Sequence, residues 1–197
     1  MIYRNIITEP RWKSYIVLGD NPVFSKEECE KIIEVGKSLP KKEAVTGFGK
    51  KEKNINYEKR HTDIAWIPFE KMPNMYKTVL EWGLRFNNNF FGFDGLQLVE
   101  QAQFTQYSQS HHYGWHSDSA YDMANEPFVR KLTMGILLND PKDFTGGEFQ
   151  IIDENKTFSL KQGYAIFFAS FIAHRVLPVK TGTRVSLQTW FNGPPLK

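Results

Sequence analysis

The sequence holds a single cysteine, Cys29, in 197 residues, so no internal disulfide can form and disulfide-scaffold classes are excluded. No apolar run approaches the ~18 residues that a membrane-spanning helix needs, and the opening MIYRNIITEPRWK lacks the apolar centre of a secretory leader. A dominant charge of one sign is also missing. Lysine and arginine number 25 against 22 acidic residues, a net +3, which is too small an excess to mark a nucleic-acid binder. No repeat or low-complexity tract is present, which sets aside solenoids and linkers. The expectation is a soluble, cytoplasmic protein in a reducing compartment.

What the chain does have is aromatic side chains. Hydrophobic residues make up 41% and aromatics 15%, with 16 Phe, 8 Tyr and 5 Trp, a composition that suits a globular protein rich in sheet. The length allows one well-buried core. The expected organisation is a single domain over 1–197, with N-terminal strands and supporting helices in 1–95 and a mainly β core in 96–197.

The first 23 residues suggest one or two short strands, the best being 15–18, closed by the turn signal Gly19-Asp20-Asn21-Pro22. A helix then starts clearly. Ser25 and Glu28 form a capping box, Phe24 and Cys29 sit at the staple positions, and Cys29, Ile32, Ile33, Gly36 and Leu39 share a face until Pro40 ends it. Residues 41–62 are rich in Lys, Gly and Asn without helical period. Two readings stand for them, a solvated surface loop or a lid over a site. A strand over 64–67 follows, then an amphipathic helix over 73–88 opened by Pro73. Both helices need an apolar surface to cover, and the outer face of a sheet supplies it.

From residue 96 the pattern changes to short strands divided by turns, expected over 96–108, 132–138, 147–152, 157–160, 165–168 and 184–191. Many short strands joined by turns argue for a sandwich or barrel with the helices outside. On the last strand Arg184, Ser186, Gln188 and Trp190 share one face, and Val185, Leu187, Thr189 and Phe191 the other. The apolar row is assigned to the helices and the polar row to a cavity.

The chemistry concentrates in Tyr113 to Asp118, reading YGWHSD. Residues two apart on an extended segment point to the same side, so His116 and Asp118 can reach one ion, with His174 from a different strand as the third ligand. Two imidazoles and a carboxylate occupy one face of Fe(II) and leave the other positions open. Zinc fits the same three ligands and suggests a hydrolase. Arg184 is surplus to that chemistry, because a fixed guanidinium there suits a carboxylate held beside the metal, with the Ser186 hydroxyl on the same face. His61, His111 and His112 read as surface residues.

In order and spacing, Tyr107, His116, Asp118, Leu138-Asn139-Asp140, Gly146-Gly147-Glu148, Gly163, His174, Val179, Gly182, Arg184 and Trp190 resemble the 2-oxoglutarate- and Fe(II)-dependent oxygenases of the prolyl 4-hydroxylase type. The resemblance covers residues 98–195. It implies a double-stranded β-helix (jelly-roll, cupin-like) core with helices on its outer face. It also implies a dioxygenase using Fe(II), 2-oxoglutarate and O2, with ascorbate as a reductant. The implied ligands are His116, Asp118 and His174, and the implied 2-oxoglutarate contacts are Arg184, Ser186, Tyr107 and Trp190. Tyr107 and Trp190 suit either that pocket or a packed core. Leu137 stands where many relatives carry a tyrosine that touches the far carboxylate, which leaves Ser186 and Tyr107 as candidates to assist Arg184.

By the same resemblance the leading substrate is a prolyl residue in a peptide or protein, as for procollagen-proline 4-dioxygenase, with a stretch near 47–60 closing over it. A free amino acid or other small molecule is the competitor. Trp190 stands where nucleic-acid demethylases carry a second arginine, which lowers that reading. A non-catalytic module that senses metal or oxo acid is the alternative from a different class. Oligomeric state is left open.

Overall fold

A computed structural model describes residues 13–43, 58–119 and 127–195. In chain order its elements are β1 (Ile16–Leu18), α1 (Lys26–Ser38), β2 (Lys42–Glu43), β3 (Arg60–His61), β4 (Asp63–Ile67), α2 (Pro73–Phe86), β5 (Ala102–Tyr107) and β6 (His112–His116). They continue with β7 (Val129–Leu137), β8 (Phe144–Gly146), β9 (Phe149–Ile151), β10 (Thr157–Phe158), β11 (Ala165–Ala169), β12 (His174–Val176), β13 (Val179–Gly182) and β14 (Arg184–Gly193). The strand suggested before residue 13 and most of the 41–62 stretch lie outside the described residues. No helix among the described residues is long and apolar enough to cross a membrane.

The strands form a seven-stranded sheet in the order β1-β11-β7-β14-β5-β4-β2 and a five-stranded sheet in the order β10-β9-β12-β6-β3, with β13 and β8 paired apart. Apart from β9–β10 and β4–β5, the neighbours within the two sheets are not consecutive in sequence, as in the double-stranded β-helix. Phe149, Ile151 and Phe158 of the smaller sheet meet Ile166 and Phe168 of the larger one, so part of the space between the sheets is packed solid. Apolar contact is the force that holds two such faces together.

Both helices cover the outer face of the larger sheet. Cys29 and Ile32 of α1 and Met75, Tyr76, Val79 and Phe86 of α2 share one core with Phe104, Phe167, Val185, Leu187 and Phe191. Phe86 stacks on Phe167 with ring centroids 4.0 Å apart. The Ser25–Glu28 capping box forms as its spacing predicts. The second helix ends at Phe86, earlier than expected, and continues as a π-turn over Asn87–Phe91. Its cause is the Asn87 amide, which donates to Phe93 O and accepts from Phe93 N, both at 2.9 Å.

The strand expected over 96–108 starts only at Ala102, and ahead of it Gln97 makes an isolated bridge to Asn192. The apolar row of β14 faces the helices as inferred. Its polar row faces the other sheet, and that is where the candidate site lies.

Candidate metal centre

The antiparallel pairing of β6 with β12 sets His116 directly opposite His174, with ring centroids 4.1 Å apart. Asp118 lies just beyond the end of β6, not on a continuous strand. Its N–H and that of Ser119 both donate to Ser170 O, at 2.8 and 3.0 Å, and this turn brings the carboxylate back toward the rings. Asp118 Oδ1 is then 3.7 Å from His116 Nε2, and Oδ2 is 3.7 Å from His174 Nε2. One donor atom from each residue lies within 4.8 Å of the others. Metal–ligand bonds of about 2.0–2.2 Å span the carboxylate to either ring.

The surroundings orient these donors. His116 Nδ1 is 2.9 Å from Gly114 O and His174 Nδ1 is 2.9 Å from Ile172 O. Each ring therefore donates from Nδ1 to a carbonyl and turns the lone pair of Nε2 toward Asp118, the tautomer a metal requires. Burial, reinforced by His174, holds His116 neutral by pushing its pKa down to about 3. Burial opposes the charge on Asp118, yet His174, His116 and Arg130 outweigh it and keep the carboxyl below its ordinary value. Thr133 Oγ1 donates to Asp118 Oδ2 at 2.9 Å and lies 2.9 Å from Ser170 Oγ. Two imidazoles and one hydrogen-bonded carboxylate fit a divalent transition-metal cation with open positions.

The triad lines a cavity of about 520 Å³ that also takes in Tyr107, Gln103, Gln188 and Trp190. Trp190 thus serves the cavity, not a sealed core. Its ring lies 5.9 Å from Trp66 and beneath the Arg130 guanidinium at 3.8 Å, and Arg130 is bound by Glu100 through both carboxylate oxygens.

Arg184 lines a neighbouring cavity of about 290 Å³ instead. It faces Tyr107 across the β14–β5 pairing, its guanidinium 5.7 Å above a ring that itself lines the triad's cavity. Gly147 allows this placement, since a Cβ there would lie 3.1 Å from Arg184 Cδ. Arg184 is buried and donates from Nη1 to Ser186 Oγ at 3.0 Å, and no described carboxylate pairs with it. A buried, unpaired guanidinium is costly unless an anion completes it. Beside it, opposite Ser186 across the β14–β5 pairing, Thr105 Oγ1 is buried without a partner. This donor set fits a bound carboxylate.

Sequence reasoning missed Thr133, Ser170, Thr105, Arg60 and Gln103. Only Thr133 left a trace, as a hydroxyl inside the otherwise apolar stretch 132–138. His61 and His111 are not isolated surface rings but stack with centroids 3.9 Å apart. His112 Nε2 lies 3.0 Å from Glu58 O.

Residues 102–192 match the family model described as the 2OG-Fe(II) oxygenase superfamily. That segment belongs to this superfamily. The oxygenase segment carries all three triad residues and Arg184. A PKHD-type hydroxylase of Azoarcus sp. (strain BH72) is 38% identical over 123 residues, covering 59% of this chain and 53% of the relative. The chain spans about half the length of the curated relatives it matches. Among solved structures, the viral collagen prolyl hydroxylase of Paramecium Bursaria Chlorella virus-1 superposes with a TM-score of 0.71 at 22% identity, covering 91% of this chain and 97% of that one. A Pseudomonas putida prolyl-4-hydroxylase gives 0.65 at 19%, covering 92% and 94%. At such identities the likeness establishes the double-stranded β-helix of the oxygenase segment and nothing finer.

Proposed function

We propose that this protein is a 2-oxoglutarate- and Fe(II)-dependent dioxygenase that hydroxylates an unactivated C–H bond, with a prolyl residue in a peptide or protein as its substrate. The observation that carries this reading is the pairing of the His116–Asp118–His174 donor set with a nearby buried guanidinium that no described carboxylate neutralises. A hydrolytic metal site has no use for the second feature. The relatives named as hydroxylases support the reaction class, and the prolyl substrate extends from the structural likeness to prolyl hydroxylases.

In this account His116, Asp118 and His174 hold the metal, and Arg184 with Ser186 receives the far carboxylate of 2-oxoglutarate past the Tyr107 ring. Bound Fe(II) supplies the dioxygen chemistry by which one oxygen atom enters the C–H bond while 2-oxoglutarate becomes succinate and carbon dioxide. The chain's own contribution is positional. Thr133 and Ser170 fix the carboxylate that must stay ionised, and the backbone carbonyls of Gly114 and Ile172 fix both imidazole tautomers. Trp190 and Tyr107 wall the cavity and exclude water from the reacting groups. Ascorbate acts as the reductant that keeps the metal ferrous. We further propose that the chain works as one domain, with 1–95 as support and 96–197 as the catalytic core, and that it acts in the cytoplasm, where its one buried thiol stays reduced.

The test is succinate release under air with Fe(II), 2-oxoglutarate and ascorbate, across proline-containing peptides, free amino acids and methylated oligonucleotides, with products read by mass. The proposal expects peptide-stimulated succinate together with a peptide that has gained one oxygen atom. Stimulation confined to free amino acids would replace the peptide assignment. Absence of Fe(II)-dependent succinate in every arm would refute the oxygenase.

A further inference from the structure

A second arginine bears on the large cavity. Arg60, on the two-residue strand β3, is 8% exposed and lines the same space as the triad. Among the described residues its partners are few for a group with five N–H donors. Nη2 donates to Gln103 Oε1 at 2.9 Å, the guanidinium lies 4.4 Å above the Tyr113 ring, and Nε is buried with no partner. The Tyr113 ring in turn stacks on His116 at 3.4 Å, so Arg60 is held one ring's thickness from the candidate metal ligand. No described carboxylate neutralises it.

The charges around the cavity sharpen the point. Lys42, Arg60 and Arg130 line it on the cationic side and Asp118 on the anionic side. Arg130 is already answered by Glu100. Asp118 is committed to the two imidazoles and Thr133. Lys42 stands exposed, with water to solvate it. Among the described residues that line this cavity, only Arg60 is both buried and uncompensated, and a folded chain keeps such a group where a ligand completes it. Arg184, which meets the oxo acid in the proposed function, opens on the neighbouring cavity. Tyr113, moreover, supports the Arg60 guanidinium from one side at 4.4 Å, and a guanidinium suits the forked recognition of a carboxylate.

Resting on the oxygenase reading, we propose that Arg60 is a specificity-determining residue that binds a carboxylate of the substrate, carried either by the hydroxylated residue itself or by an acidic side chain beside it. Gln103 holds the guanidinium and Tyr113 supports its face. The substrate is therefore anionic near the reacting carbon.

The experiment uses the intact chain loaded with Mn(II) and 2-oxoglutarate without oxygen, and measures binding by calorimetry. The probes are two matched pairs, N-acetyl-L-proline against N-acetyl-L-prolinamide, and acetyl-Glu-Pro-amide against acetyl-Gln-Pro-amide. Wild type should prefer the carboxylate member of one pair by about tenfold or more, the worth of a hydrogen bond to a charged group. The preferred pair identifies the source of the carboxylate. Arg60→Gln should abolish the preference with unchanged 2-oxoglutarate affinity and melting temperature, and Arg60→Lys should retain part of it. No preference in either pair overturns the proposal, as does one that survives Arg60→Gln. A loss of 2-oxoglutarate affinity in Arg60→Gln also overturns it, by assigning Arg60 to the oxo acid. Wild type that takes up no 2-oxoglutarate refutes the oxygenase reading itself, a failure visible before any probe is added.

Discussion

Replacing Thr133 with valine removes one hydroxyl from a fully buried place while nearly keeping its volume, so the change is electrostatic and not a matter of packing. That hydroxyl donates to Asp118 Oδ2 at 2.9 Å and lies 2.9 Å from Ser170 Oγ. A hydrogen bond to a charged acceptor contributes about 1.5–3 kcal/mol, and loss of a group that orients a metal ligand costs about 10- to 100-fold in metal affinity. The two figures agree, since a factor of ten corresponds to about 1.4 kcal/mol. Thr133→Val should therefore bind Mn(II) about 10- to 100-fold more weakly in calorimetric titration. Thr133→Ser, which restores the hydroxyl, should recover most of the loss. Unchanged affinity in the valine variant would show that Asp118 is fixed by other means, and would refute this account of how the carboxylate is held.

Three further outcomes test the fold around the site. Gly83→Ala should destabilise although alanine is the better helix former, because its Cβ would lie 2.0 Å from Cζ of the buried Phe191 ring. So close an approach puts the overpacking in the upper part of its usual range of about 1–3 kcal/mol, above a helix gain of about 0.5–1, and a net loss of about 1–2 kcal/mol should lower thermal melting by about 2–8 °C. A rise would contradict the contact. Cys29, fully buried with its thiol pushed up to about 12 by burial, should resist alkylation at about pH 8 until denaturant is added, whereas a free thiol ordinarily reacts there; native labelling seen by mass would refute its burial. Ser25→Ala removes the hydroxyl that accepts from Glu28 N, while the Ser25 N–H still reaches Glu28 Oε2, and should cost about 0.5–2 kcal/mol in urea unfolding.

The local features were legible. The Ser25–Glu28 spacing marks a helix start because capping is a contact between near neighbours. The alternation on β14 separates a face toward the helices from a face toward the cavity because strand period is a backbone property. His116, Asp118 and His174 stand out because a metal demands particular side chains. What could not be read depends on register between distant strands. That β12 sets His174 opposite His116 follows from pairing, and strands as short as β12 and β8 carry too few residues to show a period. Thr105 and Arg60 acquire meaning only through what lies across from them, Ser186 for the one and Tyr113 for the other. The Asn87 amide that ends α2 in a π-turn likewise acts through Phe93, which no helical period announces.

The central claim is that one site joins a metal held by the triad to an oxo acid held by Arg184. The most direct test is titration of 2-oxoglutarate into wild type and Arg184→Gln, each with and without Mn(II), in the absence of oxygen. The account predicts binding to wild type that requires the metal and weakens by about tenfold or more in Arg184→Gln, the loss of a charge-assisted contact. Equal affinity with and without metal, or equal affinity in the two proteins, would contradict it.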